Sequence, residues 1–219
     1  MDIDVIEGKF ATKYSPMWIG SFLPCNLGLV SLEGAPSKVA GNFNCSDNSL
    51  LSLNGGPKDV AGAFDCRNNK LLSLKDAPDY VGTNFICSSN NLITLEGAPK
   101  VIGCGFNCSY NKLMSLEGAP TIIERSFYCG NNRTLVSIQN INHHVKKIGE
   151  YFVTDDNLSG LISLLLIDEP PRGVDIGPLS DIFNDAIKKI HSGQDRMEVV
   201  MDVIINCPDE YAWQLGELE

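Results

Sequence analysis

The sequence predicts a repeat solenoid, mainly β, closed at its C-terminal end by a small α-helical cap. Three observations lead to this reading. A phenylalanine, a cysteine and an asparagine recur every 21 residues through the middle of the chain. Inside each unit the apolar residues alternate with polar ones at the period of a strand. After Pro170-Pro171 the alternation stops and apolar residues fall three and four apart, the stripe of an amphipathic helix. A recurring unit of this size cannot bury its apolar side alone and must stack on its neighbours.

The unit reads F-x-C-x-x-N-x-L-Φ-S/T-L-x-x-x-P, with Φ apolar. It begins at Phe43, Phe64, Phe85, Phe106 and Phe127, each followed two residues on by Cys45, Cys66, Cys87, Cys108 or Cys129. Asn48, Asn69, Asn90, Asn111 and Asn132 hold the asparagine position, and Pro36, Pro57, Pro78, Pro99 and Pro120 close the units. Phe64, Cys66, Asn69, Leu71 and Leu74 resemble the leucine-rich repeat L-x-x-L-x-L-x-x-N-x-L-x-x-L, with Phe and Cys replacing Leu. The proline-containing ending is similar to the L-P-x-L-P repeats of bacterial effectors and to units with Gly-Ala-Pro in tailed-phage proteins. The resemblance covers about residues 22–164. It implies a parallel sheet and a protein-binding role, with no one partner.

Residues 1–21 read as an N-terminal cap carrying Phe10, Tyr14 and Trp18, because the first unit has no neighbour to cover it. Residues 22–168 form the leucine-rich-repeat solenoid of about six to seven repeats. Over Val60–Cys66 one strand is expected, with Val60, Phe64 and Cys66 inward and Ala63, Asp65 and Arg67 outward. Asn69 sits where the chain turns, its amide placed to bond backbone groups left without ladder partners. Leu71, Leu72 and Leu74 are assigned to the far side of the core, and no length remains for a full convex helix. A looser last unit carries Phe152, Asn157, Leu161 and Leu164.

Residues 169–219 form the acidic helical C-terminal cap. One helix runs from near Pro178 to before Gly193, and a second follows the capping pair Asp195 and Glu198. Asp209 is positioned to cap a short last helix with Tyr211, Trp213 and Leu215.

Charge divides the same way. Residues 1–150 carry 13 acidic and 13 basic side chains, and residues 151–219 carry 14 acidic and 4 basic, so the whole formal charge of -10 falls on residues 151–219. Neutral repeats lack the basic stripe that direct nucleic-acid binding requires. The acidic end suits either a solvated surface or a surface for a basic partner.

Five of the eight cysteines share one inward position, where cysteine acts as a small apolar filler, so reduced thiols are expected. The start Met-Asp-Ile-Asp gives no basic, apolar leader and no run is long enough to span a bilayer, so a cytoplasmic protein without a membrane role is expected. No metal is expected: Cys104 and Cys108 lie about 13 Å apart on a strand, and extended His143-His144 would split between a buried and an exposed side chain. No cofactor or catalytic residue is expected either. Cys207-Pro208-Asp209 matches the C-x-D string of effector ubiquitin ligases, but the segment after the repeats is far shorter than those ligase domains.

The expected function is a non-enzymatic protein–protein interaction module. Through the resemblance, it would be a phage or bacterial factor that binds and inhibits a host defence protein. The concave sheet face supplies the candidate partner-binding residues Asp65, Arg67, Asn84, Ile86, Asn107, Tyr110, Arg125 and Tyr128, with arginine and tyrosine as anchors. A homo-oligomer is compatible with this reading. The alternatives are an acidic charge mimic that blocks a nucleic-acid-binding protein and a degenerate ubiquitin-ligase-like effector.

Overall fold

A computed structural model describes residues 3–154 and 158–216. The chain winds as a parallel β-solenoid with a small C-terminal helical part. Each turn of the winding carries two short strands. The first sheet stacks Met17–Trp18, Lys38–Val39, Asp59–Val60, Tyr80–Val81, Val101–Ile102, Ile122–Ile123 and Lys147–Ile148. The second stacks Phe43–Asn44, Phe64–Asp65, Phe85–Ile86, Phe106–Asn107, Phe127–Tyr128, Tyr151–Val153 and Gly173–Asp175. All these pairs are parallel, and in the second sheet phenylalanine lies over phenylalanine from Phe43 to Phe152, with Val174 over Phe152 at the end.

The single strand expected over Val60–Cys66 is therefore two strands joined by a corner at Ala61, Gly62 and Ala63. Neighbouring turns approach so closely there that a Cβ on Gly103 would strike the Gly82 carbonyl oxygen. Glycine permits this approach. The inward positions stand as expected, with Val60, Phe64 and Cys66 buried. The outward ones differ: Arg67 is exposed, Ala63 is half-buried and Asp65 is only 8 % exposed.

Stacking turns one register apart builds the core from columns of one residue type. Phe22, Phe43, Phe64 and Phe85 stack nearly face to face at 5.3–5.8 Å, and the column tilts through Phe106 and Phe127 to an edge contact with Phe152. Cys45, Cys66, Cys87, Cys108 and Cys129 form a second fully buried column. All eight cysteines are free thiols. Burial, the first cause in each case, pushes the Cys45, Cys66, Cys87 and Cys108 thiols far up, so they stay protonated.

The asparagine column locks the turns together. Asn69 donates through Nδ2 to the Cys66 and Arg67 carbonyls of its own turn at 3.1 and 3.2 Å, and to the Cys45 carbonyl of the preceding turn at 3.0 Å. Its Oδ1 accepts the Leu50 N–H at 2.9 Å. Asn90, Asn111 and Asn132 repeat this set one turn further each time. Asn157 lies outside the described residues.

The third side of each turn departs from expectation. Leu71 and Leu74 are buried, but Leu72 is 57 % exposed. Leu71 and Leu72 are chain neighbours in an extended segment, so their side chains point to opposite sides.

Both ends are closed. At the first turn Tyr14 and Trp18 meet Phe22 edge-on at 4.8 and 5.0 Å, and Phe10 joins them from the hairpin of Val5–Ile6 and Lys9–Phe10. At the far end α1 (Ile141–His144) and a 3-10 turn (Leu161–Leu164) lead into α2 (Ser180–His191), α3 (Arg196–Asn206) and α4 (Ala212–Leu215). Asn184 of α2 seals the last strand: its Oδ1 accepts the Val174 N–H at 2.7 Å and its Nδ2 donates to the Val174 carbonyl at 3.0 Å. Arg196 donates to the Ile167 and Asp168 carbonyls at 2.7 and 3.1 Å. Asp195 caps α3 as expected, accepting the Glu198 N–H at 3.0 Å. Asp209 does not cap: it is the first residue of a 3-10 turn that precedes α4. His143 and His144 are both exposed, because the chain coils into α1 instead of extending.

Among the described residues no helix is long and apolar enough to cross a membrane. Asn90→Ala should lower unfolding free energy by about 3 kcal/mol, because several buried backbone groups lose a partner at once. Leu72→Ala should change it by no more than about 0.5 kcal/mol. Urea unfolding of the two variants checks both values, and equal losses would contradict the assignment of the third side.

Candidate binding face

The outer face of the second sheet is built from residues that alternate with the phenylalanines and cysteines. Asn44, Asp65, Ile86, Asn107, Tyr128 and Val153 lie side by side on successive strands. Three of them turn back on the chain. Asn44 Oδ1 accepts the Ser46 N–H at 2.9 Å, Asp65 Oδ1 accepts the Arg67 N–H at 3.1 Å, and Asn107 Oδ1 accepts the Ser109 N–H at 3.0 Å. A side chain that mimics a backbone turn this way bends the strand toward the asparagine column. Asp65 and Asn107 thus owe their chemistry to the turn first.

Each turn then passes through one left-handed residue. Asn26, Asp47, Asn68, Ser89, Tyr110 and Asn131 hold φ between 52° and 58°. Asparagine, aspartate and serine bond locally and tolerate this region, whereas a bulky aromatic residue there is an outlier. Tyr110 occupies it while 60 % exposed. Its N–H donates to the Gly130 carbonyl at 3.0 Å, which fixes the backbone and leaves the ring outside.

Tyr128 stands on the next turn, 39 % exposed, at a shallow depression of about 420 Å³ lined also by Ser109, Gly130, Val153 and Asp175. Tyr110 follows Ser109 directly, so the structure brings Tyr110, Tyr128 and Asn107 to one region. Arg67 and Asp65 lie three strands from Tyr128, about 14 Å along the sheet. They form an ion pair at 3.5 Å. Asn84 lies at the sheet's corner edge, its Oδ1 accepting the Gly105 N–H at 2.9 Å. Ile86 is half-buried between Asp65 and Asn107. Arg125 sits in the corner between the two sheets, 4.0 Å from Glu150. It is apart from the sheet face.

Burial raises the Asp65 pKa, with the Arg67 N–H and guanidinium opposing that rise. The carboxyl of Asp47, one turn earlier, is lowered by hydrogen bonds from Asn68 at 2.8 Å and Ser46 at 2.8 Å.

The acids of the helical part are partly balanced from within. Asp181, Asp185 and Asp202 border a groove between α2 and α3, and Lys189 reaches Asp185 at 3.3 Å and Asp202 at 3.7 Å. Cys207 follows α3, and burial together with the Asp209 charge raises its thiol pKa. That environment works against the thiolate a ligase nucleophile needs.

Sequence reasoning passed over the exposed third-side column, to which Leu72 belongs. The doublets Leu50-Leu51, Leu71-Leu72 and Leu113-Met114 carry the signal, since two neighbours in an extended chain cannot both face one core. Compared with protein-family models, curated proteins and solved structures, the chain gives no match.

Tyr110→Asn should raise stability by about 0.5–1 kcal/mol, because asparagine relieves the left-handed strain. Thermal melting of the two proteins checks it. For Asp65 the folded state binds its proton more tightly than the unfolded state does. Its contribution is therefore greatest below the ordinary carboxylate pKa and is lost as pH rises through the raised one. Asp65→Asn, which keeps the turn-forming oxygen as Asn44 and Asn107 do, should stabilise the protein at neutral pH and remove that part of the pH dependence. Denaturant titrations from about pH 3 to about pH 8 measure both effects.

Proposed function

We propose that this chain is a non-enzymatic protein-binding module whose partner is another protein, engaged through the second-sheet face around Tyr110 and Tyr128. The observation that carries the reading is Tyr110. Five other turns place asparagine, aspartate or serine at the same left-handed position, and folding alone gives no reason to put an exposed aromatic ring there. Strain held at an exposed position points to a use outside the fold. Tyrosine is also the residue type that contributes most at interfaces, because a rigid ring buries large area at small entropic cost. Tyr128 beside its depression supplies a second ring, and Arg67 a charged contact at the margin.

The resemblance of the repeat to bacterial effector and tailed-phage proteins extends the proposal to its setting. The protein is a cytoplasmic phage or bacterial factor, and the partner is a host defence protein that it inhibits. The acidic helical part is the competing surface for a basic partner. Lys189 already neutralises part of it, which favours the sheet face.

The test is affinity capture from bacterial lysate on the immobilised full chain. Tyr110→Asn with Tyr128→Ala should reduce the captured partner at least about tenfold, which corresponds to the 1.4 kcal/mol expected of one lost anchor. Lys substitutions at Asp181, Asp185 and Asp202 should leave capture unchanged, and raising salt from about 0.05 to 0.5 M should weaken it little. Retention by the tyrosine variant, with release by the charge reversals and by salt, would overturn the reading in favour of charge mimicry.

A further inference from the structure

The third side of the solenoid carries an apolar ridge that the fold does not use. Each turn there reads Leu-Φ-Ser/Thr-Leu or a close variant, with both flanking residues buried and Φ outside. Val30, Leu51, Leu72, Ile93, Met114 and Val136 are 50–70 % exposed. They stack on successive turns, as the backbone bonds from Ile93 N–H to Leu72 O and from Met114 N–H to Ile93 O show, each at 3.4 Å. The hydroxyl neighbours are in part engaged by the chain itself: Ser31, Thr94, Ser115 and Ser137 each accept the N–H two residues on. An exposed position repeated six times would ordinarily be polar, and here it is apolar each time.

We propose that this ridge is the contact surface between two copies of the chain, related by a two-fold axis that crosses the ridge between Leu72 and Ile93. Three features of the ridge select a second copy running antiparallel. The first is area. Six side chains more than half exposed, with the small residues beside them, offer roughly 600–800 Å², near the ~800 Å² per partner of a standard interface and above what a monomer usually leaves open in one patch.

The second is self-complementarity. A two-fold contact sets each residue against its mirror position in the column, which here pairs Leu72 with Ile93, Leu51 with Met114 and Val30 with Val136. Each pair is close in volume, and two ridges with the same ~4.8 Å pitch stay in step along the whole contact.

The third is charge. The corner beside the ridge carries exposed Lys75 and Glu96 at the same step of adjacent turns. The antiparallel two-fold places Lys75 of one copy against Glu96 of the other, twice. On the opposite border Lys70 meets Asn91 and Lys112 meets Ser49, so no like charges face each other. A parallel arrangement would instead set Lys70 against Lys75.

Sedimentation of the full chain at about 1 to 100 µM, a range that brackets common homodimer affinities, reads the outcome. The wild type should run at twice its monomer mass. Leu72→Lys with Ile93→Lys should run as a monomer with an unchanged far-ultraviolet spectrum, since both positions are on the surface of the folded chain, and its melting point should no longer depend on protein concentration. Lys75→Glu should weaken the dimer about tenfold or more, and adding Glu96→Lys should restore it, because the reversed pair attracts again. That rescue separates a specific antiparallel contact from general stickiness. A wild type that stays monomeric throughout the range overturns the proposal, and loss of partner capture by the Leu72→Lys/Ile93→Lys variant would then assign the ridge to that partner. A dimer indifferent to the lysine substitutions, or a charge swap that fails to rescue, overturns it as well.

Discussion

The fold depends on one side-chain amide placed once per turn. The asparagine after each cysteine strand holds two carbonyls of its own turn, one carbonyl of the turn before, and an N–H of the turn before. A backbone leaving the second sheet does not satisfy the cysteine carbonyls or the leucine N–H with strand neighbours, because the chain is changing direction there; the Arg67 carbonyl also accepts the Asp47 N–H at 3.1 Å. A buried group left unpaired would cost about 1–3 kcal/mol, so a short amide of fixed shape is required at that point. Spacing follows from it. The amide reaches backward to one turn only, so every insertion must be placed where it leaves this reach intact. The extra residue before Leu135 does so, falling between Asn132 and the third side.

Several other regularities are consequences of that constraint. The turn that presents the amide needs a left-handed residue just ahead of it, which explains the run of asparagine, aspartate and serine and makes Tyr110 stand out. It also needs the strand to bend, and the outward Asn44, Asp65 and Asn107 bend it with their own oxygens. Much of the sheet face is therefore polar for structural reasons. The aromatic rings are what structure leaves unexplained.

Stacking that propagates this well must also be stopped. An open end would expose a phenylalanine and a cysteine to water and offer unpaired strand groups to another chain. The two ends use different means. Aromatic rings cover the apolar side at the first turn, where the residue to be covered is Phe22. At the last strand Asn184 stands in for a further strand by bonding both the N–H and the carbonyl of Val174. The helical part is in this sense a plug, held by Asn184 on Val174 and by Arg196 on the Ile167 and Asp168 carbonyls.

The sequence by itself determined the winding, its period, its columns and the order of cap, repeats and helices, because a 21-residue recurrence of buried types permits few other ways to cover them. Asn69 and its equivalents were legible for the same reason, as were Tyr110 and Tyr128 as exposed rings. Tertiary structure alone decided how many sides each turn has. The corner at Ala61, Gly62 and Ala63 splits one expected strand into two, since alternation in and out reads the same on either side of a bend. It also decided the direction of Leu72 and its column, because an apolar residue carries no mark of which way it points until its neighbour Leu71 is seen to occupy the core. Arg125 left the sheet face through that same corner. Asp65 passed from outward to nearly covered once its neighbours in the adjacent turns closed over it, a contact 21 residues away in sequence and one strand away in space.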